Sequence, residues 1–500
     1  MKRKDRIFTC LYMIIAAFVC LSLASRSSEL YVFNNWDDAN SYFSVGKGIF
    51  NGKMPYRDIF DQKGFYLYFI YGIGYLISHT TFAGVFLIEV LLGSIDILGF
   101  YNIIRLFTTR RSALITAPLV FGSVVCSRSF WWGGSAEEIC LPFLIWGLYL
   151  ITEFFIEYYP VKMMPAKKLI IAGCLAGMIA NIKFTGLGFY FAWMMLVFLA
   201  FIAMKKVKEA FIACGYFLLG MAIPFVPAAV YFGVQNGLYD WYWGYVYVNV
   251  FVYNEAETSG GIAVIYSLAK VLYWLIRDNF QYFDLVIPGM IFMLLRRKSK
   301  ILTRLYVPVL FLFMFIGIFG GGRELPYYSL PLSIFAVFGG ILLSYLFDFI
   351  FKYQSRGIGN AVLPMMAMML SMMFITFNSM NITFMSQSEE DFFLFRFRDE
   401  VLETQNPTLL NVGCLDAGLY TLCDIVPSCR WFQTQTLNIE EEENNPYKEQ
   451  ERYIREGLVD YVLARDEEPA GIGDHYTLID SEVYDQGNYI FTYYLYKKTR

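Results

Sequence analysis

The sequence predicts a polytopic α-helical membrane protein that ends in a small soluble α/β domain. Three observations carry that prediction. The chain of 500 residues is 57% hydrophobic, with a mean hydropathy of +0.46, far above the average for a soluble globular protein. Eleven segments are apolar over about 20 residues, the length a helix needs to cross a bilayer. The charge is also split. Residues 1–384 carry 30 bases and 20 acids, whereas 385–500 carry 10 bases and 23 acids. The membrane part is therefore 1–384, with an external loop at 26–82, and the acidic soluble part is 385–500.

The eleven segments are 7–25, 83–104, 112–130, 138–156, 168–186, 187–204, 210–233, 280–295, 305–321, 328–350 and 360–383. Basic clusters flank alternate ends. Lys2, Arg3, Lys4 and Arg6 precede the first segment, and Arg105, Arg110 and Arg111 follow the second. Lys162, Lys167 and Lys168 follow the fourth, and Lys205, Lys206 and Lys208 the sixth. Arg296, Arg297, Lys298, Lys300 and Arg304 follow the eighth, and Lys352 and Arg356 the tenth. With the N-terminus cytoplasmic, every cluster is cytoplasmic, as the positive-inside rule requires. Counting 64–78 as a span would reverse that order, so it reads as an interfacial or re-entrant helix, as does 262–277. No convincing cleavage site follows the first segment, which reads as an uncleaved anchor. The expected location is the plasma membrane, multi-pass, with the C-terminal domain extracytoplasmic.

In the tail, 408–414, 461–465 and 490–498 read as strands. Residues 446–457 read as a helix capped by Gly457. The acidic run at 440–443 reads as a solvated turn. Cys10, Cys20, Cys126, Cys140, Cys174 and Cys214 lie in apolar segments, where cysteine acts as a small hydrophobe. Cys414, Cys423 and Cys429 allow one disulfide in an extracytoplasmic tail. With only His79 and His475, histidine catalysis and His-rich zinc sites are disfavoured, and the lack of a dense basic patch disfavours a nucleic-acid partner.

The external loops hold the unusual chemistry. Residues 34–66 contain Asp37, Asp38, Asp58, Asp61 and Lys63. A carboxylate there suits a general base that deprotonates an acceptor hydroxyl or amine; a helix N-cap is the plain alternative for Asp37 and Asp38. Glu137 and Glu138 open the fourth span, where a helix N-terminus also tolerates acids behind a Ser135 cap. Arg323 lies in an outer loop that the charge rule does not explain, and guanidinium groups bind phosphate bidentately. Lys183 sits at the outer end of the fifth span, where snorkelling is the simple reading. The aromatic stretch 238–254 suits either a sugar groove or an interfacial belt.

The pattern D-D-A-x-x-Y, then G-x-x-P-Y-R-D-I-F-D-Q-K-G and an aromatic helix, resembles the first external loop of GT-C glycosyltransferases that use polyprenyl-phosphate sugars. These include the protein O-mannosyltransferases, the lipid A aminoarabinose transferase and the RgtA/B/C/D-like transferases. The resemblance implies a GT-C-like membrane domain with interfacial helices in the first external loop. It also implies transfer of a sugar from a polyprenyl-phosphate donor to an envelope glycan, lipid or protein, with inversion. Asp37 matches the family's proposed base, and Asp38 stands where the family has Glu. Lys63 matches the donor-phosphate lysine, although Gly64-Phe65 replaces the family's two prolines. Arg323 with Tyr327 and Tyr328 resembles a second phosphate-binding element. Glu138, with Glu137 as the other choice, is the expected second acid, orienting the acceptor or binding a divalent ion. No cofactor is firmly implied, and a divalent metal is left open.

Two other classes compete. A transporter or flippase predicts mid-membrane charges and repeated halves, and neither is evident in the sequence. A polysaccharide polymerase or ligase places its key bases in a late loop, whereas here the acids directly follow the first span.

Overall fold

The computed structural model describes residues 3–253, 261–353, 362–437, 439, 444–485 and 490–499. The run 440–443 lies outside them. In chain order the helices are α1 (Arg3–Ala24), α2 (Asp37–Phe50), α3 (Phe65–Ile77), α4 (Ala83–Arg105), α5 (Arg110–Val125), α6 (Ala136–Glu153), α7 (Ala166–Ile182), α8 (Leu187–Ala203), α9 (Val207–Ala222) and α10 (Phe225–Val234). A short α11 (Leu238–Trp241) runs into a π-helical stretch, Tyr242–Val252. Then come α12 (Gly261–Asp278), α13 (Phe280–Leu294), α14 (Ile301–Phe319), α15 (Ala336–Tyr353), α16 (Val362–Asn378), α17 (Phe393–Leu402), α18 (Leu419–Leu422) and α19 (Pro446–Arg455). The strands are β1 (Leu409–Val412), β2 (Tyr461–Arg465), β3 (Tyr476–Asp485) and β4 (Ile490–Lys498).

All eleven predicted apolar segments are helical. Among the described residues, six helices are both long and apolar enough to cross a membrane. A seventh is counted if α9 and α10, bent by 41°, act as one span. The other predicted spans correspond to α5, α7, α13 and α16, of 15 to 17 residues. At 1.5 Å per residue such helices fall short of a hydrocarbon core about 30 Å thick. Helix α3, on the stretch read as interfacial, has 13 residues.

The chain forms two compact units. The first comprises Met1–Ser25, Ile88–Ala228 and Ala256–Thr383. It is a helix bundle whose helices approach closely where glycine removes the side chain. A Cβ on Gly173 of α7 would lie 2.0 Å from the Phe217 carbonyl of α9. Small residues at crossings let backbones touch and recover dispersion energy that lipid would otherwise match. Apolar side chains such as Phe191, Phe211 and Leu218 point outward, as a bilayer-facing surface requires.

The second unit comprises Arg26–Leu87, Ala229–Glu255 and Phe384–Arg500. Its sheet has the order β1-β2-β4-β3, with β1 and β2 parallel and the remaining pairs antiparallel. Strands β1, β2 and β4 and helix α19 follow the sequence pattern. Asn445 caps α19, accepting from the backbone of Tyr447 and Lys448. Gly457, at φ +60°, ends it in the left-handed conformation that favours glycine. Strand β3 was not expected. It is an edge strand with exposed Leu478, Ser481 and Val483 and a register shift at Leu478/Asp480, so its apolar alternation is broken. Cys414, Cys423 and Cys429 are free, buried thiols.

Helix α2 is the centre of this unit and is mostly buried on all sides. Gly46 of α2 meets Gly72 of α3 so tightly that a Cβ would lie 2.5 Å from the Gly72 nitrogen. Its polar side chains bond to the tail. Ser41 donates to Gln433 Oε1 at 2.6 Å, Ser44 to Asp416 Oδ2 at 2.6 Å and Lys47 to the Tyr420 carbonyl at 2.7 Å. Thr421 donates to Asn40 Oδ1 at 2.9 Å. Lys47 also pairs with Asp424 at 3.3 Å. Each bond satisfies a group that would otherwise be buried at a cost.

Asp416 is fully buried, which raises its pKa to about 6 against the opposing Ser44 hydroxyl, Gly418 N–H and Lys47. The folded chain therefore holds this proton more tightly than the unfolded chain. Its contribution to stability is complete below about pH 4 and is lost as pH rises to about 6. The difference is about 3 kcal/mol. Thermal melting of the full chain in detergent between pH 4 and pH 7 should show stability falling with pH. Asp416→Asn should reduce that slope.

Candidate functional site

The predicted residues fall into two groups, one in each unit. In the second unit, Trp36 stands at the N-cap of α2 with no side-chain cap, and Asp37 and Asp38 occupy the first turn. Neither acid is the N-cap itself, but both enjoy the positive end of the helix. Asp37 is a quarter exposed and accepts a 2.9 Å bond from Arg465 Nη1 at the end of β2. Burial pushes its pKa up; Arg465 opposes the rise by charge and hydrogen bonding, and Asp38 adds to it.

Asp61 is 4% exposed. It accepts from the Tyr68 hydroxyl at 2.8 Å and from Gln435 Nε2 at 3.3 Å. Burial raises its pKa, Lys63 and Tyr68 oppose the rise, and Asp38 adds to it. Asp38 thus feels both Asp37 and Asp61, and Lys63 joins the same field. The Lys63 backbone is pinned on both sides. Its N–H donates to the Tyr68 hydroxyl at 2.6 Å, and its carbonyl accepts from the Tyr56 hydroxyl at 2.7 Å. Its Nζ lies 5.9 Å from the Tyr42 ring centroid. Asp38 thus links two charged pairs, Asp37 with Arg465 and Asp61 with Lys63. Asp58 has a different part. It accepts from the Met54 N–H at 2.7 Å and pairs with Arg57, closing the turn in which Tyr56 takes φ +71°.

In the first unit, Ser135 caps α6 and accepts from the Glu138 N–H at 3.0 Å, as expected. Glu138 reaches back to accept from the Gly134 N–H at 2.7 Å. It is 5% exposed and close to Glu89, which is 1% exposed and accepts from the Ser25 hydroxyl at 2.9 and 3.1 Å. Lys183 does not snorkel. It caps the end of α7, forms an ion pair with Glu137, and lies 3.8 Å from the Tyr328 ring centroid and 5.6 Å from that of Tyr327. The cost of burying an ammonium is met by a carboxylate and two aromatic faces. Arg323 lies in the turn between α14 and the 3₁₀ stretch Pro326–Phe335, which begins with the two tyrosines.

Sequence reasoning missed Arg465, Tyr68, Gln435 and Glu89. Arg465 stood out only as a lone base before Asp466-Glu467-Glu468. Glu89 carried a clearer signal, because a carboxylate inside an apolar span is costly unless it serves something. Among the described residues, no group of three or more His, Cys, Asp and Glu side chains is arranged to hold a metal ion, so no step is derived through one.

No protein-family model matches the sequence, and no curated protein matches it. Solved structures do. ArnT from Cupriavidus metallidurans, in the apo state and bound to undecaprenyl phosphate, superposes with a TM-score of 0.61. The match covers 99% of this chain and 98% of that one at 11% identity. The archaeal oligosaccharyltransferase AglB from Archaeoglobus fulgidus, in complex with an inhibitory peptide and a dolichol-phosphate, covers 93% of this chain and 70% of that one. Its identity is 14% and its TM-score 0.47, too low to establish a shared fold. The chain thus shares the fold of ArnT, a helical bundle with several helices apolar and long enough to cross a membrane, and the likeness runs nearly end to end.

Lys183→Met would leave the Glu137 carboxylate buried and unpaired. It should destabilise the protein by about 3–5 kcal/mol. Adding Glu137→Gln should recover most of the loss in thermal unfolding.

Proposed function

We propose that this chain is a membrane glycosyltransferase that moves a sugar from a polyprenyl-phosphate donor to an extracytoplasmic acceptor. The observation that supports this best is the charged cluster at Asp37, a partly exposed carboxylate held by Arg465 with Asp38 beside it and Asp61 and Lys63 in the same loop, on a fold shared with ArnT. One of the two ArnT structures holds undecaprenyl phosphate, the class of lipid that a donor of this kind releases. In this reading the N-terminus is cytoplasmic and the loop 26–82 faces outward. Residues 1–384 hold the donor lipid, and 385–500 form the soluble domain beside the acceptor.

Asp37 is the general base. It takes the proton of the acceptor hydroxyl as that oxygen bonds to the anomeric carbon. The carbon–oxygen bond to phosphate breaks on the opposite face, and the electron pair leaves with the lipid phosphate, so configuration inverts. Lys63 neutralises charge growing on the departing phosphate. Arg323 with Tyr327 and Tyr328, the two tyrosines being beside Lys183 in the first unit, is the second phosphate-binding element that the sequence resemblance implies. Burial, with Asp38 beside it, raises the affinity of Asp37 for a proton. Arg465 holds the carboxylate in one orientation and keeps it ionised, since a base must be both reachable and unprotonated.

Purified protein incubated with a panel of polyprenyl-phosphate sugars should release lipid phosphate. Asp37→Asn should slow that release by about 10²–10⁴-fold; full activity in this variant would exclude Asp37 as the base. Lys63→Ala should also lose most of the rate.

Arg465 lowers the pKa of Asp37, so its removal should raise it. In Arg465→Ala the acid limb of the pH–rate profile should move to higher pH, with activity partly regained in more alkaline buffer. An unshifted limb would show that Arg465 does not act on the base.

A further inference from the structure

The same guanidinium that binds Asp37 also lines a cleft of about 580 Å³ in the second unit. This size falls within the about 300–1,000 Å³ range of small-ligand sites. The cleft opens at the carboxyl ends of the two parallel strands. One wall is Val412 and Gly413 after β1, another is Arg465 to Ala470 after β2, and helix α19 forms the third. Crevices at the carboxyl ends of parallel strands are the usual ligand sites of open α/β sheets, because the connections diverge there and leave a gap between them. Both strands end on left-handed residues, Gly413 at φ +75° and Asp466 at φ +67°. The chain is thereby turned aside from the gap.

The lining has a definite chemistry. Tyr447 of α19 is 52% exposed and presents an aromatic face, which suits stacking against the apolar face of a sugar ring. Gln450 and Thr434 close the floor, bonded to each other at 2.6 Å. Around them stand Glu451, Asp466, Glu467 and Glu468, with Arg465 as the one cationic side chain of the lining. That guanidinium is engaged with Asp37 and stacked on Phe491 at 4.6 Å. The open side is therefore acidic. It repels uronates and phosphates and favours hydroxyls and a protonated amine.

We propose that this cleft is the acceptor subsite, and that it takes a saccharide bearing a free amine. The placement rests on the reading of Asp37 as the base, because Arg465 of the cleft lining is the residue that binds the Asp37 carboxylate. The binding chemistry itself stands without that reading.

The test uses the full chain in detergent and measures binding of a β-1,4-linked glucosamine disaccharide by ligand-observed NMR. The N-acetylated disaccharide and a glucuronate-containing disaccharide serve as comparisons. The amine form should bind saturably, the N-acetylated form more weakly, and the uronate not at all. The double variant Glu467→Gln/Glu468→Gln should weaken binding about tenfold, and Tyr447→Ala about threefold. Glu390→Gln, an equal kind of charge change on an exposed residue elsewhere in the tail, should leave binding unchanged. Absence of saturable binding would overturn the proposal. So would equal binding of the amine and N-acetyl forms, or unchanged affinity in the double variant. Hydrolytic release of lipid phosphate by the wild type, in which water takes the sugar in place of the acceptor, reports separately on the donor reaction. Its presence without disaccharide binding would reject the cleft alone, and its absence alongside binding would reject the transferase reading alone.

Discussion

The second unit is organised around the ion pair between Asp37 and Arg465. The two residues are 428 positions apart, and the bond joins the first turn of α2 to the end of β2. A carboxylate on the first turn of a buried helix is unfavourable by desolvation alone. The helix N-terminus recovers part of that cost, and the guanidinium recovers more. The polar bonds of Ser41, Ser44 and Lys47 to the tail repeat this arrangement along α2. A helix with so little apolar exposure and so many buried polar groups is held only because a second polypeptide segment supplies a partner for each of them.

This constraint also shapes the chemistry of the loop. Burial and the nearby Asp38 make Asp37 and Asp61 harder to ionise, while Arg465 opposes the rise at Asp37, and Lys63 and Tyr68 oppose it at Asp61. In the first unit the same logic appears in a more apolar setting. Lys183 and Glu137 neutralise each other beneath two tyrosines, and Glu89 is satisfied by Ser25.

Much of this was readable from residue order. The apolar segments are all helical, Ser135 caps α6 as its position suggests, and Gly457 ends α19. The tail strands β1, β2 and β4 follow their alternation of apolar residues. Helix lengths were less legible, because hydropathy carries past the last hydrogen-bonded turn. Thus α5 ends at Val125, whereas the predicted segment ran on to Phe130 across Ser127, Arg128 and Ser129. Strand β3 was missed because an exposed edge tolerates Asp480, Ser481 and Glu482. Lys183 resembled a snorkelling residue because its partner, Glu137, is 46 residues away.

Composition and order by themselves determined a membrane-spanning helical chain with an acidic tail, and marked 34–66 as chemically unusual, because hydropathy and charge are summed along the chain. They named Asp37 and Lys63, since both sit in one short motif. Only the tertiary structure decided what Asp37 is bound to, which acids share its field, and that a cleft opens beside its partner. Those facts depend on distances between segments hundreds of residues apart. Electrostatic coupling falls off with spatial separation and not with sequence separation.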